Sequence, residues 1–134
     1  MDLRFEICVE ISGSSNADGA NANSADCDSG ALNQLFDFTQ VANTSDVYTI
    51  AARHSGKCLS VAGGGVANRV NIEQATCTGS SYQEFRLVPD GASYIIYTGT
   101  GAGDKVVDAS ASTGNIQQFD DFGSGNQRWT LVAQ

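Results

Sequence analysis

Four cysteines, one histidine, a few neighbouring acids and three Gln-x-aromatic triplets are the residues of this 134-residue chain whose types and spacing could carry chemistry. Cys8 and Cys27 lie 19 positions apart, and so do Cys58 and Cys77. Four cysteines allow three pairings, and only Cys8–Cys27 with Cys58–Cys77 follows the spacing. Each bridge would close a loop of nearly 20 residues, a stabilisation of ~3 kcal/mol if the unfolded chain's lost entropy is the cause. A four-thiolate zinc site is the rival, but there is no close Cys-x-x-Cys pair. Disulfides belong to oxidising compartments, so a secreted protein is expected.

The remaining candidates speak against catalysis. His54 sits in the turn-like stretch Arg53-His54-Ser55-Gly56, which gives Ser-His-Asp or Cys-His chemistry little support. Glycoside hydrolysis needs two carboxylates facing one bond, one of them in an apolar pocket. Asp26 and Asp28, like Asp120 and Asp121, stand in polar sequence and read as solvated loops. Asn16, Asp18, Asn21 and Asn23 offer oxygens but miss the spacing of a calcium loop. Gly63-Gly64-Gly65 is not followed by the residues of a phosphate loop. The expectation is a binding chain with no metal and no cofactor. Asp108 stands apart: an acid between Val107 and Ala109, with no cation close in sequence, reads as ligand-facing.

Composition narrows the ligand. The net charge of −8 disfavours nucleic acid and anionic membranes, and the seven lysines and arginines are spread without a basic patch. No apolar stretch approaches a membrane span, so no membrane insertion is expected. Met1-Asp2-Leu3-Arg4 opens no apolar leader region; an exported form would have its leader removed. A neutral sugar, read by hydrogen bonds and one aromatic face, needs no net field.

The elements that must position these residues are short strands. Polar turns rich in the chain's 15 glycines separate short apolar runs, and no window keeps a helical period. Three segments end alike, at Gln34-Leu35-Phe36, Gln83-Glu84-Phe85 and Gln127-Arg128-Trp129. Cys8-Val9-Glu10-Ile11 aligns with Cys58-Leu59-Ser60-Val61 and with Val106-Val107-Asp108-Ala109. Apolar residues alternate at Ile7, Val9 and Ile11, at Phe36 and Phe38, at Phe85 and Leu87, and at Trp129 and Leu131. Tyr48-Thr49-Ile50 and Tyr94-Ile95-Ile96-Tyr97 look like opening strands. One domain spanning 1–134 is therefore expected, with units of about four strands at 1–43, 44–90 and 91–134. Three such units can close a barrel, which a lone one cannot. Unit one has only seven residues before Cys8, so its first strand is expected to be curtailed or replaced. Phe36, Phe85 and Trp129 read as core, with Gln34, Gln83 and Gln127 as candidates for backbone hydrogen bonds under the core turn.

Over nearly its whole length the chain resembles the ricin B-chain type β-trefoil, which includes galactose-binding lectins and family-13 carbohydrate-binding modules. The likeness rests on the three units, the 19-residue cysteine spacing, the closing triplets and Ser55-Gly56-Lys57-Cys58-Leu59-Ser60-Val61. It implies an all-β trefoil that binds sugar without catalysis, either as a free lectin or covalently linked to a secreted glycoside hydrolase. The alternative is a trefoil protein-interaction or inhibitor scaffold whose sugar sites have decayed.

The resemblance also implies a residue set for each unit: an acid, a Gln, an aromatic and an Asn-Gln pair. A carboxylate accepts from two adjacent hydroxyls, amides both donate and accept, and the ring covers a sugar's C–H face. Unit three matches throughout, with Asp108, Gln117, Phe119, Asn126 and Gln127. Val106 and Asp121 hold its two cysteine positions, so no bridge is expected there. Phe119 stands where Trp or Tyr is usual, which predicts weaker stacking, and Phe122 competes for the role. The loop from Asp108 to Gln117 is four residues shorter than its counterpart in unit two, leaving the pocket's outer wall open to question. Unit two has Ser60, Glu73 and Ala75 instead, and little binding is expected. Unit one offers Glu10, Asn23, Ala25, Asn33 and Gln34, a weaker candidate without a stacking face.

Overall fold

Antiparallel strands dominate the chain, as the alternating apolar pattern requires. The computed structural model describes residues 2–6, 8–26, 34–99 and 105–133. Twelve strands lie among them, numbered in chain order. Six form a barrel: β1 (Asp2–Glu6), β4 (Leu35–Gln40), β5 (Val47–Ala52), β8 (Phe85–Asp90), β9 (Ser93–Thr98) and β12 (Val132–Ala133). β1 pairs with β4, β4 with β5, β5 with β8, and β8 with β9. A bridge between Tyr94 and Trp129 and the pairing of β12 with β1 complete the circuit. Among the described residues the circuit thus closes through one isolated bridge, which shortens the edge that could template aggregation. Phe36 and Phe38 of β4, Ile50 and Ala52 of β5, Phe85 and Leu87 of β8, and Trp129 are buried. Their two-residue spacing sends every second side chain to one face.

The other six strands make three hairpins: β2 (Val9–Ile11) with β3 (Ala22–Ser24), β6 (Cys58–Val61) with β7 (Ile72–Ala75), and β10 (Lys105–Ala109) with β11 (Ile116–Asp120). Bridges link them in a ring: Asn21 to Glu73, Asn71 to Gln117, and Asn115 to Asn23. Amides reinforce it, Asn21 Nδ2 donating to Asn115 Oδ1 at 2.7 Å and Asn115 Nδ2 to Asn71 Oδ1 at 2.6 Å. A six-stranded barrel capped by three hairpins is a β-trefoil.

Each hairpin also clasps its neighbour's loop. Buried Gln74 donates through Nε2 to the carbonyls of Ser15 and Ala17, both at 2.9 Å. Gln118 does the same to Gly65 and Ala67, at 2.8 and 2.9 Å. In unit three, where the loop is short, Ser24 bonds to Gly114 O through its backbone N–H and hydroxyl. Gly114 has φ +75°, and a Cβ there would come within 2.9 Å of the Ser24 hydroxyl. A short clasp therefore meets a short loop.

The Cys58–Cys77 disulfide is formed. Cys27 lies outside the described residues, and with it the expected Cys8–Cys27 bridge; Ile7 lies outside them as well. One expectation needs correcting. The first strand of unit one is not curtailed, since β1 runs over five residues and pairs on both sides. The shortening falls on the link to β2, which starts at Val9, whereas Arg53–Lys57 separate β5 from β6. Among the described residues no helix is long and apolar enough to cross a membrane.

Candidate functional site

Strand register gathers the unit-three residues on one face. β10 and β11 pair with Asp108 opposite Gln117 and Val106 opposite Phe119. Directly opposed residues project to the same side, as do residues two apart along a strand. Asp108, Gln117 and Phe119 therefore share a face. A 3-10 turn at Gly125–Gln127 packs across β10, bringing Asn126 and Gln127 over the same spot. It leaves Asp108 only 4% exposed.

A buried carboxylate needs compensation, and three side-chain amides supply it. Gln117 Nε2 donates to Asp108 Oδ1 at 3.1 Å; Asn126 Nδ2 and Gln127 Nε2 donate to Oδ2 at 3.2 and 2.8 Å. A carboxylate has about four lone-pair sites. Among the described residues Oδ2 is thus saturated, while Oδ1 keeps one site. Gln117 Oε1 accepts no hydrogen bond from a described residue and stands beside it. Asn126 is anchored further, donating to Ala109 O at 3.0 Å and accepting from the Ser124 hydroxyl.

Gln127 differs from its neighbours. It is wholly buried, lies outside the cleft lining, and also bonds to Asp120 O at 2.7 Å and to the Phe122 N–H at 2.8 Å. It holds Asp108 from beneath. The same turn recurs elsewhere: Gln83 Nε2 donates to Thr76 O at 2.9 Å and its Oε1 accepts from the Thr78 N–H at 2.8 Å. Gln34 Nε2 donates to Asp26 O at 2.9 Å.

Asp108, Gln117 and Asn126 open onto a cleft of about 310 Å3. One side is aromatic: Phe119 is half-buried, and Phe122, 68% exposed, tilts against it with ring centroids 5.5 Å apart. Ser110, Ala111 and Ser112 of the shortened loop also line it, together with Ser124. The short loop thus lines the cleft without closing it. Arg69 of unit two completes the lining, its guanidinium 5.5 Å from the Phe119 centroid. Nothing in the sequence marks Arg69, 39 positions before Asp108.

The other candidates are placed differently. In unit two, Ser60 is buried where Asp108 stands, and Tyr82 replaces Asn126. The Tyr82 ring lies on Gly64, where a Cβ would come within 3.0 Å of it. In unit one, Glu10 and Asn23 are paired across β2 and β3, and Asn23 Oδ1 accepts from Asn21 Nδ2. Asn33 and Asp28 lie outside the described residues. Asp120 corrects the loop reading, and Asp121, which does lie in a loop, is not simply solvated. Asp120 ends β11, ion-paired with Lys105, while Asp121 accepts from the Tyr97 hydroxyl and faces Arg128. Asp18 is committed to Lys57 and Thr76. No cluster of three metal-ligating His, Cys, Asp or Glu occurs among the described residues. His54 Nε2 lies 2.8 Å from Ser15 O, tying the Arg53–Gly56 turn to unit one.

Known proteins agree with this architecture. Solved structures that resemble it include ThreeFoil, a designed threefold-symmetric protein, at TM-score 0.87 and 26% identity over 96% of this chain and 97% of that one. An exo-beta-1,3-galactanase from Clostridium thermocellum matches at 0.88 and 23% identity, over 98% of this chain but only 30% of the enzyme. The Rhizoctonia solani agglutinin matches at 0.85 and 14% identity, over 100% and 96%. No curated protein sequence matches. The profile of the ricin-type beta-trefoil lectin domain-like family covers residues 32–119. The chain belongs to that family.

Proposed function

We propose that this protein binds carbohydrate without catalysis, at the unit-three cleft. The observation that carries the reading is Asp108, a nearly buried carboxylate held by three amides with one acceptor site free, beside exposed Phe122. One sugar hydroxyl donates to Oδ1, a neighbouring hydroxyl donates to Gln117 Oε1, and the ring's C–H face rests on the phenylalanine pair. Galactose-type sugars are the proposed class; an agglutinin and a galactanase are among the structural relatives. The Cys58–Cys77 bridge supports secretion. The same reading takes 1–134 as one domain of three units, at 1–43, 44–90 and 91–134. It is either a free lectin or a module linked to a glycoside hydrolase, and the small cleft suits weak single-site binding strengthened by such linkage.

Retention on galactose- and galactan-bearing gels tests this. The wild type should be retarded and Asp108→Ala should elute freely, with its melting transition recorded to show that it folds. If no gel retards the wild type, or the variant is held equally, the assignment fails. The alternative of a protein-interaction scaffold then stands.

A further inference from the structure

Building on the sugar-binding reading of the cleft, we propose that its ligand carries a carboxylate and that Arg69 recognises it. Four of the chain's lysines and arginines face aspartates: Arg53 with Asp37, Lys57 with Asp18, Lys105 with Asp120, and Arg128 with Asp90. Arg69 does not. Among the described residues its guanidinium makes no ion pair and no hydrogen bond, and its one contact of this kind is the face of Phe119. A guanidinium stacked on a ring keeps its planar fork of N–H donors free at the edge. Arg69 and Asp108 are the charged residues lining the cleft, which therefore has an anionic floor and a cationic wall.

The backbone gives a second, independent sign. Arg69 has φ +71°, in the left-handed region where a bulky side chain is an outlier. The conformation lets its N–H reach Gln118 O at 2.8 Å. In unit one the matching bond, to Gln74 O at 2.7 Å, comes from Gly19 at φ +86°. Glycine meets that geometry without strain. Unit two carries an arginine at the same place, and backbone strain of this sort points to a use for the side chain it delivers.

The two poles define the ligand. Repulsion keeps an anion away from Asp108, so the floor takes hydroxyls. The wall takes an anion, and two coplanar carboxylate oxygens match the guanidinium fork. A uronic-acid type sugar has both groups on one ring. A neutral sugar leaves Arg69 unmatched, so the neutral ligand expected from net charge gives way to an acidic one.

Calorimetric titration with galactose and galacturonic acid, against the wild type, Arg69→Gly and Arg69→Lys, tests the proposal. Galacturonic acid should bind the wild type about tenfold more tightly than galactose, the scale of one charge-assisted bond. Arg69→Gly should keep or raise the Tm and remove the preference, while Arg69→Lys should keep part of it. Galactose binding as tightly as galacturonic acid, or a preference that survives in Arg69→Gly, overturns the carboxylate proposal and leaves the sugar reading standing. Binding of neither sugar overturns both.

Discussion

Units two and three close on the same turn, yet where unit three sets the Asp108 carboxylate against that turn, unit two has Ser60. Gln83 and Gln127 are both buried, and both bond to a carbonyl seven residues back and to an N–H five residues back. Above that shared clasp the units diverge. Unit three adds Asp108, Asn126 and Phe119, whereas unit two has Ser60, Tyr82 and Ala75, with Tyr82 lying on Gly64. Their fastenings differ too: a disulfide in unit two, and in unit three the Lys105–Asp120 pair and the contacts of Asp121 with Tyr97 and Arg128. The clasp is common to both units, and the proposed binding residues are an addition to it in unit three.

The largest expected effect separates the two floors. Asp108→Ala should weaken sugar binding about 100-fold, or ~2.7 kcal/mol, the worth of one or two bonds to a charged acceptor. Ser60→Ala should leave affinity unchanged, and calorimetry reads both. Next come the clasps. Gln83→Ala and Gln127→Ala should each lower unfolding free energy by ~2 kcal/mol in denaturant, since buried partners are left unsatisfied. Only Gln127→Ala should also weaken binding; equal affinities would mean that Asp108 does not depend on it.

A smaller effect concerns Phe122 and its counterpart Thr78, which occupy the same place above the two clasps. Phe122→Ala should cost ~1 kcal/mol of binding with little change in stability, because the ring is exposed. Thr78→Ala should not alter affinity. The smallest effects appear in acid. Hydrogen bonds from Lys57 and then Thr76 hold the Asp18 carboxyl below its ordinary value of 3.8, and Lys105 and then Asn68 do the same for Asp120. The folded-state value is the lower one, so this stabilisation is present above 3.8 and is lost as pH falls from there through the folded-state value. Asp18→Asn and Asp120→Asn should each flatten the fall of Tm below pH 3.8, and a slope identical to wild type would show the pairs to be idle.

Much of this was legible because it is local. Alternation at Phe36 and Phe38 and the spacing of Cys58 and Cys77 each reflect neighbours along one strand or one hairpin. Asp108 stood out as an acid between apolar neighbours, whereas Gln117 and Phe119 came only from the family resemblance; one hairpin register brings the three together. What the sequence hid depends on contacts between units. Arg69 reaches the cleft because Gln118 holds its loop, a relation with no signature along the chain. The bond from Gln127 to Asp108 was hidden for a related reason: the turn packs across a strand 19 residues away.

The clasps from one hairpin to its neighbour's loop have a kinetic consequence. Gln74 cannot find Ser15 and Ala17, nor Gln118 find Gly65 and Ala67, until segments more than 50 residues apart have met. Contacts so distant in sequence are formed late and make folding slow. Once closed, they leave no unit able to open alone, so amide protons at the three hairpins should exchange through a single cooperative event.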